Sequence, residues 1–147
     1  MPRNPEVIII AGRNGSGKTT LARKLVARLD VDVISPTGEW GRWSHNPEAL
    51  VTESVKRGAG GVVLDDCDAY LTGRTSEFWR RLLSTNRHLG LDVILITRRP
   101  QELPHWAVAA CTRAYLLALG PREAQWCRRI LGAEPPTRMH DVRGVTL

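Results

Sequence analysis

Runs of consecutive apolar residues recur along the chain and are separated by polar, glycine-bearing stretches. Val7-Ile8-Ile9-Ile10 is apolar and β-branched throughout, and Val62-Val63-Leu64 after Gly61 is apolar throughout. Val93-Ile94-Leu95-Ile96 is a third such run, Ala114 to Leu119 a longer one, and Val31-Asp32-Val33-Ile34 a weaker one. Unbroken runs of this kind belong to strands buried on both faces, the habit of parallel sheets. Between them the period changes. Lys18 to Leu29 carries Leu21, Leu25, Val26 and Leu29 at helical spacing. Asn46-Pro47 predicts an N-cap followed by proline at the first helical position, for a helix ending at Arg57 before Gly58. Ser76 to Leu89 predicts another, with Phe78, Leu82 and Leu89 near one face and Gly90 as its C-cap. Pro121 to Leu131, stopped by Gly132, predicts the last. Strand and helix alternate, so the expected fold is α/β: a mostly parallel sheet of about five strands between helices. The expected boundaries are one domain over residues 1–132 and an extension over 133–147, extended or disordered.

Composition narrows the classes. The chain has 147 residues, 42% hydrophobic and 24% charged, which is globular. No apolar run reaches the roughly 18–20 residues that cross a bilayer. The N-terminal Met1-Pro2-Arg3-Asn4-Pro5 lacks the apolar region of a secretory signal. Three scattered cysteines, Cys67, Cys111 and Cys127, without C-x-x-C spacing, fit buried thiols in a reducing compartment such as the cytoplasm. The formal net charge is +6, and only three of the 21 basic residues are lysines. That excess fits a polyanionic partner, or else an arginine-rich codon usage without functional meaning.

The strongest chemical signal is Gly12-Arg13-Asn14-Gly15-Ser16-Gly17-Lys18-Thr19, which fills every fixed position of G-x-x-x-x-G-K-[ST]. It lies between a predicted strand and a predicted helix, the context the motif requires. Glycines let the backbone turn its N–H groups toward phosphate oxygens, and the helix start adds its positive end. Lys18 is expected on the β- and γ-phosphates of ATP and Thr19 on Mg²⁺, with Thr20 closing the binding set. Asp65 and Asp66 end the Val62–Leu64 run. Asp65 is expected to hold Mg²⁺, and Asp66 to orient or deprotonate the attacking water, with Asp68 as its alternative. These features describe a P-loop nucleoside triphosphatase or kinase.

Further motifs resemble the FtsK–HerA superfamily of DNA-pumping ATPases, including its Zot-like and viral genome-packaging members. The resemblance rests on Gly61 to Asp66, on Asn86-Arg-His-Leu-Gly-Leu-Asp92, and on Val93-Ile-Leu-Ile-Thr-Arg-Arg-Pro100. Ile34-Ser-Pro-Thr-Gly-Glu-Trp40 resembles the family's pattern after its second strand, and Gly120 to Gln125 stands where the family has its C-terminal motor helix. Three positions depart: Arg98 replaces the usual polar Gln after Thr97, Asp66 replaces Glu, and Ser35 replaces Asp. Arg98 then either contacts the γ-phosphate or pairs with Asp65 or Asp66.

The resemblance implies a homo-oligomeric ring with ATP at each interface and an arginine supplied by the neighbour. Arg74, Arg80, Arg81 and Arg87 are candidates, Arg87 favoured because it follows the helix after the acidic pair. It also implies double-stranded DNA as a partner held without sequence readout, through loops carrying Arg42 or Arg74. Trp40 and Trp43 beside Arg42 are candidates for base stacking or a subunit interface. Two other readings stay open at this level. One is a small-molecule kinase of nucleotide-kinase type, for which the chain offers no clear arginine-rich lid. The other is a nucleotide-binding module with weak catalysis.

Overall fold

The computed structural model describes residues 4–27, 30–35, 46–71 and 76–147. Six strands form one sheet in the order β2-β3-β4-β1-β5-β6. β1 (Val7–Ala11), β2 (Val31–Ile34), β3 (Gly61–Leu64), β4 (Asp92–Thr97) and β5 (Arg113–Leu116) are all parallel. β1 is central, pairing Ile9 with Leu95 of β4 and with Ala114 of β5. The sheet thus has one strand more than expected. β6 (Arg143–Thr146), in the tail expected to be only extended or disordered, runs antiparallel along β5. Every residue of β1, β3 and β4 is buried, as their unbroken apolar runs require.

Sheet order explains where the helices lie. The connection from β1 to β2 crosses β4 and β3 in one direction, and every later parallel connection travels back the other way. Right-handed crossovers then put the first helix on one face and the later ones on the opposite face. Alternation along the strands fits this. Ile8, Ile10, Ile94 and Ile96 pack against Ala22 and Val26 of α1 (Lys18–Val26). Val7, Ile9, Val62, Leu64, Val93 and Leu95 face the other helices. Those are α2 (Pro47–Arg57), α3 (Asp68–Leu71), α4 (Ser76–Thr85), α5 (His105–Ala110) and α6 (Pro121–Trp126). Trp79 of α4 is fully buried there, edge-on to Phe78 at 4.9 Å and tilted against Tyr70 at 5.8 Å.

Caps account for most boundaries. Asn46 caps α2, its Oδ1 accepting from the Ala49 N–H at 3.2 Å, and Gly58 ends it with φ 78°. α4 ends at Thr85, four residues before the expected Leu89. The reason is Asn86: its buried amide donates to the Leu91 carbonyl at 3.1 Å, and its own carbonyl accepts the Leu91 N–H, so the chain turns into β4. Leu89 is left 43% exposed rather than on the core face. α6 ends at Trp126 and passes into a wider π-type turn over Cys127–Leu131, which Gly132 closes at φ 65°. The short α3 and α5 have too few turns to leave a periodic trace and were not expected.

Candidate nucleotide-binding site

The direction of travel reverses at β1, so the C-terminal ends of β1 and β4 border a topological switch point. Open α/β sheets bind ligands in the crevice outside such strand ends. Residues 12–17 fill it. The Gly12 N–H donates to the Thr97 carbonyl at 3.1 Å, and the Arg13 N–H to the Ala118 carbonyl at 2.9 Å, so the loop entrance is tied to both flanking strand ends. Gly12 has no room for a side chain. A Cβ there would collide with the Ser16 hydroxyl and lie 3.0 Å from Leu117 Cβ and 3.1 Å from Lys18 Cγ. Gly17 is the residue before α1 and takes φ 98°, a left-handed conformation that L side chains rarely adopt.

The loop's polar inventory fits an anion. Ser16 donates its N–H to the Arg13 carbonyl at 3.1 Å. Among the described residues, the backbone N–H groups of Asn14, Gly15, Gly17, Lys18 and Thr19 make no hydrogen bond. The fully buried Ser16 hydroxyl also has no partner among them. The Lys18 ammonium bends back to the Arg13 carbonyl at 3.2 Å. Burial lowers the Lys18 pKa below the ordinary lysine value, Asp66 and Asp65 oppose that, and Arg98 adds to it. A phosphate is the ligand that relieves such a site, since it accepts from free N–H groups and restores the ammonium's charge partner.

Asp65 and Asp66 form the turn that leaves β3. The Asp65 N–H donates to the Ile34 carbonyl at 2.9 Å, and the Cys67 N–H to the Ile96 carbonyl at 3.0 Å, so β2 and β4 hold the turn. Asp65 Oδ1 accepts the Asp66 N–H at 3.1 Å. Asp66 has φ 49°, a left-handed conformation that Asp tolerates better than most residues. Asp68 is committed elsewhere, its carboxylate accepting the buried Thr97 hydroxyl at 3.2 Å. Thr97 Oγ1 in turn accepts the Arg99 N–H at 3.0 Å, which fixes how the chain leaves β4. Arg98 reaches Asn14 Oδ1 at 3.5 Å.

Asn14, Gly15, Gly17, Lys18, Thr19, Thr20, Asp65 and Asp66 line one open cleft of about 580 Å³. The phosphate loop and the acidic pair are therefore together. A neighbouring hollow of about 390 Å³ brings Arg13, Arg98 and Arg99 alongside Asn14, with Glu123 and Met139. Arg87 is not at the cleft. It follows α4 and precedes β4, at the end of the sheet where the parallel strands begin. Arg80 and Arg81 are exposed on α4. Trp40, Arg42, Trp43 and Arg74 lie outside the described residues.

One cleft residue was not expected. His140, in the tail before β6, lines the cleft beside Gly17. It carries no motif, and its place comes from the pairing of β6 with β5. The only trace in the sequence is a short Val-Thr-Leu run at the C-terminus.

Sheet order, loop and strand-end acids define the fold of a P-loop NTPase. No protein-family model matches the chain, and no curated protein matches it in sequence. Solved structures do match in fold. The genome packaging NTPase B204 from Sulfolobus turreted icosahedral virus 2, in complex with ATP-gammaS, superposes with a TM-score of 0.77 at 16% identity, over 98% of this chain and 93% of that one. The N-terminal domain of zonular occludens toxin from Neisseria meningitidis gives 0.57 at 16% identity, over 77% and 76%. The FIGL-1 AAA domain in complex with ADP gives 0.56 at 21% identity, over 75% of this chain and 42% of that one. A genome packaging NTPase and a zonular occludens toxin domain are thus neighbours in fold, the two kinds of protein the motifs resemble.

Proposed function

We propose that this chain is an ATP-hydrolysing motor subunit that works as a homo-oligomeric ring and moves double-stranded DNA without reading its sequence. One observation carries the reading: at the β1–β4 switch point the phosphate loop and the Asp65–Asp66 turn share one cleft, with Arg98 hydrogen-bonded to the loop. The similarity to a packaging NTPase over 98% of the chain supports it. The loop Gly12 to Thr20 holds the triphosphate through the free backbone N–H groups of Asn14, Gly15, Gly17, Lys18 and Thr19, and Lys18 neutralises the β- and γ-phosphates. Thr19 and Asp65 would hold Mg²⁺, which supplies charge neutralisation on the phosphate oxygens when bound. Asp66 orients a water and takes its proton as the water oxygen bonds to the γ-phosphorus and the bond to the bridging oxygen of ADP breaks. Arg98 stabilises charge on the γ-phosphoryl oxygens from the same subunit.

Arg87 stands far from its own cleft, so in this reading it serves a neighbour's. The arginine excess supplies DNA-backbone contacts, whose strength falls steeply with salt. Two measurements test the proposal. ATP turnover should rise on adding double-stranded DNA, and the chain should sediment as a ring with ATP, Mg²⁺ and DNA present. A monomer that transfers phosphate to a hydroxyl acceptor would replace the motor with a kinase. Tight ATP binding without turnover in an assembled ring would leave a binding module.

A further inference from the structure

The sheet order gives the cleft a polarity. The acids leave β3, on one side of β1, while β5 and β6 lie on the other. A triphosphate whose reacting end faces Asp66 must carry its nucleoside away from β3, toward β5 and β6. On that side Gly17 is flanked by two side chains. Leu117 Cδ2 lies 3.7 Å, and His140 Nδ1 3.3 Å, from where a Cβ on Gly17 would stand.

His140 is held there by several independent contacts. Its φ of 71° turns the tail sharply, and the Asp141 N–H closes that turn on the Arg138 carbonyl at 3.3 Å. The preceding Met139 touches the phosphate loop twice: its sulfur accepts from Arg13 Nε at 3.3 Å, and its methyl lies 3.7 Å from where a Cβ on Gly15 would stand. β6 then fixes the following residues to β5, pairing Arg143 with Leu116 and Gly144 with Tyr115. An exposed imidazole is thus carried on an anchored turn beside Gly17 in the cleft.

We propose that the tail turn Arg138–Asp141 is the nucleoside wall of the cleft, with the His140 ring stacking on the nucleotide base. The proposal rests on the reading of the cleft as a nucleoside triphosphate site, and it adds a residue that distinguishes a nucleotide from a bare polyphosphate. Stacking needs a flat ring rather than an imidazole in particular, since every base offers a π face. The test measures binding of ATP and of inorganic tripolyphosphate to wild type, His140→Ala, His140→Phe and Lys18→Ala. His140→Ala should weaken ATP about tenfold, the lower end of what one base–aromatic stack contributes, and leave tripolyphosphate unchanged. His140→Phe should restore ATP affinity. Ala and Phe bear the same backbone strain at φ 71°, so their difference isolates the ring. An ATP affinity within twofold of wild type in His140→Ala, an equal loss for tripolyphosphate, or no recovery in His140→Phe overturns the proposal. Lys18→Ala should weaken both ligands, and if it weakens neither, the phosphate-site reading itself fails.

Discussion

The phosphate loop has two unlike flanks. Toward β4 and β3 it meets Thr97, Arg98 and the Asp65–Asp66 turn, charged and polar groups that directly end apolar strands. Toward β5 and β6 it meets Leu117, which follows β5, and His140, whose turn is anchored by a strand that pairs antiparallel at the sheet edge. The first flank offers groups suited to bond breaking at a γ-phosphate. The second offers apolar and aromatic surface suited to a base. In the proposed reading catalysis and ligand identity are therefore built on opposite sides of one loop, and the two sides should fail separately when altered.

The largest loss of ATP affinity should come from the loop that both flanks share. Lys18→Ala should weaken ATP on the order of 100-fold, as expected when one partner of a partly desolvated charge pair is removed, and titration calorimetry reads it directly. Next is the acidic flank. Asp66→Asn should keep the turn, because Asn also tolerates the left-handed region, and leave ATP affinity near wild type. Turnover should nevertheless fall about 10²–10⁴-fold, the usual contribution of a positioned base. Asp68→Asn should change turnover far less, since an amide oxygen can still accept the Thr97 hydroxyl. If the two substitutions act equally, the roles given to Asp66 and Asp68 are wrong.

A third, smaller effect tests the opposite flank. Deleting Arg143–Leu147 removes β6 and the anchor of the tail turn. ATP affinity should drop about as far as in His140→Ala while turnover at saturation persists. The freed β5 edge should also promote self-association, visible in light scattering.

The smallest effect reports on the core behind both flanks. Cys67, Cys111 and Cys127 are all buried free thiols. Burial pushes Cys111 up to about 12, Cys127 up to about 11, and Cys67 well above the ordinary 9.0. Folding therefore favours the protonated thiols. Their contribution to stability is complete below pH about 9, where unfolded thiols are also protonated. It declines as pH rises toward about 11 and 12, where the folded thiols ionise. Chemical unfolding at pH 8 and pH 10 should show that loss, and Cys127→Ser should reduce it. Thiol reagents at pH 8 should react with the native protein only as fast as it opens.

Legibility in the sequence followed the same division. β1, β3 and β4 are buried on both faces, and unbroken apolar runs announce such strands. The placement of the acidic flank was readable because each polar group stands at the end of such a run. α2 was readable from Asn46, Pro47 and Gly58, whose backbone preferences are local. α3 and α5 were not, because four and six residues cannot display a helical period. β6 was not either. Four mostly exposed residues at a sheet edge are held mainly by backbone pairing, and backbone pairing leaves no mark on side-chain order.

What the amino-acid order alone determined is what depends on neighbours in the chain: the glycine geometry of residues 12–17, the lysine and threonine that follow, and the carboxylates that end an apolar run. Tertiary structure decided what depends on strand order. Only the placement of β1 between β4 and β5 sets the acids on one side of the loop. Only the return of the tail along β5 sets His140 on the other. Asp66 and His140 lie 74 positions apart in the chain, and no local preference can encode that they line one cleft.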